Sequence, residues 1–299
     1  MKRWINTPVF LLVILFVWTA AAQAAQAKKS FRIVLVPERN IFEQQRKYQN
    51  LCEYTCNMLS LDISFEVLKG YKEVLLAMKE GRAEGAFMGS FVAAYGIHNY
   101  GFIPIVRPVW PSGESHYSSY IFKRSDLPVT RDVASWKGRS FVFVGRHTTA
   151  GYFFPLSLLR SNGVKDTDEF LSRIHYAGSH DAAVWMVANA MADIGAAKNT
   201  VFNEFIKRKP ELGEKIELLY DSGRYPDSTL VIRGDLRQEL REAIRTVFLG
   251  MSSSQDGREA LKKFGALKFV ITSPDEYGSV KQVIKGSGHD ISHMGLLDN

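Results

Sequence analysis

From residue 31 onward, short apolar runs alternate with segments of 3.6-residue periodicity, and they do so in two separate series. The first series holds FRIVLVP (31–37), a helical stripe over 42–59, ISFEVL (63–68), a helix over 72–80 ending at Gly81, AEGAFMG (83–89), a short helix over 91–97 and FIPIVRPVW (102–110), a strand whose prolines put it near an edge. The second holds SSYIFKR, SFVFVG (140–145), a helix over 149–161, HYAG (175–178), a helix over 180–192, DIGAAK (193–198), a helix over 200–208 and IELLYDS (216–222). TLVIR (229–233) follows, then a mostly helical region (236–285) around KFVITS (268–273), and a tail (286–299) without periodicity that reads as frayed. Alternating β and α elements predict mostly parallel sheets covered by helices. Two such series predict two lobes, with SYIFK (119–123) and TLVIR as the crossover strands.

The composition is globular: 46% apolar and 23% charged over 299 residues, which excludes a disordered chain, a coiled coil and a disulfide-dense miniprotein. Residues 1–27 open with Lys2 and Arg3, continue through an apolar stretch from Val9 to Ala22, and end in small residues with cleavage sites after Ala24 and Ala27. That is the pattern of a secretory signal peptide, shorter than the ~20 apolar residues of a membrane span. An uncleaved anchor is the alternative. The formal net charge is +7, or +5 without Lys2 and Arg3. This suits an anionic ligand and is too small to indicate nucleic acid. Cys52 and Cys56 sit four apart on a helical pattern, where side chains stack rather than face, so two thiols are expected over a disulfide. No metal site or cofactor is indicated.

The segment 140–152, SFVFVGRHTTAGY, joins a buried strand to a helix through Thr148 and Thr149. Unpaired amides at a helix start, the helix dipole and two hydroxyls together make an anion cradle; ordinary capping is the alternative. A second junction carries Gly178, Ser179, His180 and Asp181, and a third, MGSF, carries Ser90. Three such junctions would gather donors at the carboxyl ends of parallel strands, where open α/β sheets bind ligands.

With those junctions the chain resembles the periplasmic substrate-binding proteins of phosphonate-type ABC transporters, whose members also take phosphate and phosphite. The likeness rests on five ordered markers at 69–91, 113–127, 138–159, 176–197 and 225–236. They include a hydroxyl-hydroxyl-x-Gly-Tyr motif (148–152) and a Gly-x-His-acid-Ala motif (178–182). The resemblance implies an α/β fold of the type II class, two lobes joined by two crossovers and closing on ligand. It divides the chain into a leader (1–27), lobe 1 (28–118 and 229–299) and lobe 2 (119–228). It implies that Thr148, Thr149 and the amides after them hold the oxyanion and that His180 donates to it. Tyr71 and Tyr117 would wall the cleft, with Ser90 an extra donor.

Relatives that select amino-alkyl phosphonates hold the ammonium with carboxylates. At the matching stretches this chain has Lys198, followed by Asn199 and Thr200, and Asp227, followed by Ser228. A lysine there would repel a cationic tail, so the expected ligand is a simple oxyanion or a phosphonate without an amino group, bound by a monomer and passed to an inner-membrane permease. A ligand sensor for a membrane receptor kinase and a binder of sulfate or sulfonates are the alternatives. The chain lacks G-x-S-x-G, P-loop, G-x-G-x-x-G and H-E-x-x-H motifs, so catalysis is not expected.

Overall fold

The computed structural model describes residues 30–294, and the expected leader over 1–27 lies outside them. In chain order the strands are β1 (Ser30–Leu35), β2 (Asp62–Val67), β3 (Gly85–Met88), β4 (Ile103–Val109), β5 (His116–Tyr117), β6 (Ser119–Arg124) and β7 (Ser140–Phe143). They continue with β8 (Arg173–Tyr176), β9 (Ile194–Lys198), β10 (Ile216–Asp221), β11 (Tyr225–Pro226), β12 (Thr229–Ile232) and β13 (Lys268–Ile271). The longer helices are α1 (Ile41–Leu59), α2 (Tyr71–Lys79), α3 (Ser90–Tyr100), α4 (Phe154–Ser161), α5 (His180–Ala188), α6 (Asn199–Arg208), α7 (Gln238–Gly250), α8 (Gln255–Phe264) and α9 (Gly278–Gly286).

One sheet runs β13-β4-β12-β3-β1-β2 and the other β10-β6-β9-β7-β8. The expectation of mostly parallel sheets holds for three strands of each, β2-β1-β3 and β8-β7-β9. The remainder is antiparallel, because β6 and β12 each enter their sheet from the opposite one and run against their neighbours. The chain passes between the sheets just before β6 and just before β12. These passages pair as the β5–β11 ribbon, with Tyr117 opposite Tyr225 and the Asp227 N–H donating to the Ser115 carbonyl at 3.2 Å.

Strand β4 is second from the edge, beside β13, in keeping with the near-edge place its prolines suggested. Pro104 lies at a register shift in β12, and Pro108 lies beyond Val106, the last β4 residue that β12 pairs. The missing donors thus fall where the ladder is interrupted or has ended.

Helix α1 starts because the Asn40 side chain accepts from the Phe42 and Glu43 amides at 3.1 and 3.3 Å, a cap worth ~1 kcal/mol. It buries Tyr48, Leu51 and Tyr54 against one face of the first sheet, together with α7 and α8. Cys52 and Cys56 are free thiols whose Sγ atoms both donate to the Ile63 carbonyl, at 3.2 and 3.1 Å. Burial and the neighbouring Cys56 push the Cys52 thiol up to about 12.

A second apolar cluster continues from one sheet to the other, and α9 takes part in it through Val280 and Ile284. The expectation of a frayed tail fails over 287–294. Ile291 is buried, Tyr95 donates to the Met294 carbonyl at 2.8 Å, and the His289 ring packs 5.6 Å from Phe153. An aperiodic stretch can dock through backbone acceptors and single side chains, which periodicity does not register.

Candidate functional site

Loops at the carboxyl ends of the parallel strands converge from both sheets. β1 leads to Glu38, β3 to Ser90, β7 to Thr148 and Thr149, β8 to His180, and β9 ends at Lys198. Together with Tyr71, Phe91, Tyr117 and His147, these line a cavity of about 20 Å³. In the same measure one buried water needs about 10–15 Å³, so in this conformation the space is narrow and enclosed, on the scale of a water.

The junction after β7 carries the helix start at Thr149 that the sequence predicted. Its first turn, Thr149–Phe153, is a π turn continuing into α4, with the Phe153 amide bonded to the Thr148 carbonyl at 3.1 Å. Gly151 permits it: a Cβ there would lie 2.5 Å from Val144 Cβ. The amides opening this turn have no partner inside the helix. Thr149 Oγ1 lies 2.8 Å from Ser90 Oγ, which also bonds the Tyr117 hydroxyl. Three hydroxyls joined by two hydrogen bonds retain one proton to give. Burial, ahead of every other influence, holds the Tyr117 phenol far above its ordinary range, so that proton stays in place.

One predicted donor is engaged elsewhere, and Tyr71 lines the cavity with its hydroxyl turned to the backbone. Thr148 donates both its amide and its hydroxyl to the Gly145 carbonyl, at 3.2 and 2.9 Å, so it braces the loop with the groups expected to hold a ligand. Tyr71 donates to the Pro37 carbonyl at 3.0 Å and contributes only its ring to the wall.

Gly178, at φ +80°, turns the chain after β8, and Ser179 caps α5. His180 is buried, and its Nδ1 accepts the Lys198 amide at 3.1 Å, which leaves its proton on Nε2. Burial outweighs the opposing pull of Glu38 and lowers the imidazole to about 4. His180 is therefore a neutral Nε2–H donor at physiological pH.

Lys198 does not present the unpaired charge expected of it. Its Nζ lies 3.1 Å from Glu38 Oε1 and 3.1 Å from Ser228 Oγ, and it also pairs with Asp227 Oδ1. Burial would raise Glu38, but Lys198 first, then His180 once it is protonated at low pH, and Arg39 bring it down to about 2. Burial likewise opposes the Lys198 charge, and Asp227 and Glu38 overcome it, holding the ammonium above its usual range. Asp227 is fully buried behind Lys198, accepts from Trp110 Nε1 at 2.5 Å and does not reach the cavity wall. It positions the lysine. Glu38, which does reach the wall, escaped the motif search although it follows the first strand directly; the junction rule applied to 36–40 finds it.

Further contacts join the two sheets beside the cavity. The His180 amide donates to the Glu38 carbonyl at 3.2 Å, the Asn40 amide to Asp181 at 3.1 Å, and Arg39 Nη1 pairs with Glu204 at 2.6 Å. A wider groove of about 1010 Å³ lies on the other side of Lys198, lined by Arg39, Lys47, Trp110, Glu204 and Lys207 among others. It shares Glu38, Tyr117 and Lys198 with the small cavity, mixes acids and bases, and is not lined by Ser90, Thr149 or His180.

A family model described as "ABC transporter, phosphonate, periplasmic substrate-binding protein" matches residues 33–277. A probable ABC transporter phosphite binding protein of Prochlorococcus marinus, PhnD1, is 25% identical over 152 residues, covering 49% of this chain and 51% of that one. A phosphate-import protein, PhnD, of Mycolicibacterium smegmatis is 22% identical, over 74% of this chain and 71% of that one. The chain thus matches about half the length of the first relative. Among solved structures, a binding protein component of an ABC phosphonate transporter from Pseudomonas aeruginosa superposes with TM-score 0.80 at 17% identity, over 87% of each chain. PhnD1 from Prochlorococcus marinus in complex with methylphosphonate superposes with TM-score 0.77 at 17% identity, over 86% of this chain and 98% of that one. The fold is that of a type II periplasmic binding protein. Among the described residues no helix is long and apolar enough to cross a membrane.

Proposed function

Because this chain belongs to the phosphonate-type periplasmic substrate-binding family of ABC transporters, we propose that it captures one compact phosphorus oxyanion, such as phosphate, phosphite or methylphosphonate, and passes it to an inner-membrane permease. The observation that carries this reading is the single cavity shared by Ser90 and Tyr117 from one side and Thr149 and His180 from the other. Its donors are the spare hydroxyl proton, the His180 Nε2–H and the amides opening the turn at Thr149. The relatives named for phosphite and phosphate, and the neighbour holding methylphosphonate, support the ligand class.

Ligand binds one lobe, and the donors of the other stabilise closure. Shifting closure from 1:99 to 99:1 takes about 5.5 kcal/mol, within reach of three hydrogen bonds to a charged group at ~1.5–3 kcal/mol each. The moving bodies are lobe 1 (28–118 and 229–299) and lobe 2 (119–228), hinged at the β5–β11 ribbon. Residues 1–27 direct export and are removed, and the mature protein works as a monomer in the periplasm.

Glu38 favours phosphorus over sulfur. An ionised carboxylate at the wall accepts a proton from a singly protonated phosphorus oxyanion, whereas sulfate at neutral pH has none to give. The test is a thermal-shift panel of phosphate, phosphite, methylphosphonate, 2-aminoethylphosphonate and sulfate, in which a specific ligand raises the melting temperature with concentration. Protection by the first three is expected. A preference of about tenfold or more for 2-aminoethylphosphonate or sulfate in calorimetry contradicts the reading.

A further inference from the structure

We propose that the wide groove beyond Lys198 is a second anion site, distinct from the small cavity, and that it takes a compact polyanion of the diphosphate or triphosphate class with Lys47 at its centre. The site does not depend on the phosphorus-oxyanion reading of the small cavity, with which it shares only Glu38, Tyr117 and Lys198.

The groove stays basic after its ion pairs are made. Eight basic side chains line it against five acidic ones. Arg39 pairs with Glu204 at 2.6 Å, Arg208 with Glu43 at 2.7 Å, and Arg224 with Glu114. Among the described residues, Arg46, Lys47, Lys207 and Lys263 make no ion pair, and Asp221 is the one lining acid left over. A monoanion would leave most of this charge unanswered, whereas linked phosphoryl groups answer several cations at once. At about 1010 Å³ the groove matches the upper end of ligand clefts, which run from about 300 to 1,000 Å³, and far exceeds what one oxyanion needs.

Lys47 stands apart from the other three. It is half-buried, and its Nζ lies 4.5 Å from the Trp110 ring centroid and 5.0 Å from that of Phe264, with no carboxylate partner among the described residues. Ring faces attract an ammonium but leave its three protons without an oxygen acceptor. Burial first, then the Arg39 charge, lower this ammonium to about 8; Glu204 and Glu38 oppose the shift and Lys198 adds to it. Helical spacing puts a second cation opposite. Lys47 follows Glu43 by one turn on α1, and Lys207 follows Glu204 by one turn on α6. Glu43 and Glu204 both pair across the groove, so the two lysines continue the faces that meet there. A polyanion between them would bridge α1, packed on the first sheet, and α6, packed on the second.

The test is calorimetry with sodium tripolyphosphate, and in parallel with methylphosphonate, at constant ionic strength. It compares the wild type with Lys47→Met, Lys47→Arg, Lys207→Gln and, as a control on an exposed lysine outside the groove, Lys137→Gln. Tripolyphosphate affinity is expected to fall about tenfold or more in Lys47→Met and about threefold in Lys207→Gln, and to hold in Lys137→Gln. At about pH 8.5 the wild type is expected to take up about half a proton more per ligand than Lys47→Met or Lys47→Arg, read from buffers of different ionisation enthalpy, because the anion restores the proton of Lys47. Absence of tripolyphosphate binding overturns the proposal, as do competition with methylphosphonate for one site, an equal loss in Lys137→Gln, and a proton uptake that the Lys47 variants leave unchanged. Should Lys47→Met fail to fold, Lys47→Arg and Lys207→Gln decide, and full affinity in Lys207→Gln with wild-type uptake in Lys47→Arg overturns the site. Tripolyphosphate binding by a protein that binds no methylphosphonate supports this site and contradicts the reading of the small cavity instead.

Discussion

Ser90 Oγ and Thr149 Oγ1 lie 2.8 Å apart, although 59 residues and two different sheets separate them. Ser90 opens α3 after β3, and Thr149 opens the turn after β7, so two strand-to-helix junctions are held face to face. The contact bridges the two sheets across the cavity. It also joins Tyr117 to the cluster, which gives the hydroxyls a proton to share with whatever lies between them.

Thr149→Val keeps the shape of the side chain and removes its hydroxyl. Affinity for the preferred oxyanion is expected to fall about 10- to 100-fold, matching ~1.5–3 kcal/mol for a hydrogen bond to a charged group. The melting temperature of the unliganded protein should change little. Calorimetry on both proteins checks this, and unchanged affinity would remove Thr149 from the site.

His180→Ala should weaken binding by more than about tenfold, since it deletes a charge-assisted donor. It should also alter the acid limb of stability. His180 titrates at about 4 when folded, below its ordinary 6.5. The unfolded chain therefore binds more protons between those values, and stability is lost as pH falls through that window. Glu38, lowered from 4.5 to about 2, adds a loss at lower pH. Denaturant midpoints measured from pH 7 to pH 4 should decline in the wild type and decline less in His180→Ala.

Much of this site was legible because it is local. Thr148, Thr149, Ser90 and His180 each mark a strand that ends in small or hydroxyl residues before a helix, a pattern contained within about ten positions. What escaped depends on long-range partners. The pairing of Glu38 with Lys198 spans 160 residues, so a lysine that looked like a free charge proves to be neutralised. Thr148 looked like a ligand donor because a hydroxyl's partner cannot be read from its neighbours; here it is the Gly145 carbonyl. The two βα series separated the sheets correctly, while the two-residue strands of the β5–β11 ribbon are too short to leave a periodic trace.

Glu38→Gln should narrow discrimination between phosphate and sulfate. A neutral amide no longer repels a fully ionised anion, and it can donate as well as accept. The phosphate-to-sulfate affinity ratio is expected to fall about tenfold, the effect of ~1.4 kcal/mol. A ratio that stays constant would show that Glu38 serves Lys198 alone.

Glu204→Gln removes the partner of Arg39 across the cleft, where Glu204 is 43% exposed. A partly exposed pair contributes ~1 kcal/mol or less, so affinity should fall by no more than about fivefold. The loss should appear mainly in faster release, and stopped-flow dissociation at low and high salt would show it shrinking as salt rises.

The most direct test is a crystal structure of the protein grown with methylphosphonate. The phosphonate group is expected between Thr149 and His180, within hydrogen-bonding reach of both, with Lys198 still held by Glu38 and Asp227. A ligand seated instead in the wide groove among Arg39, Lys47 and Lys207, with the hydroxyl cluster untouched, would contradict the account.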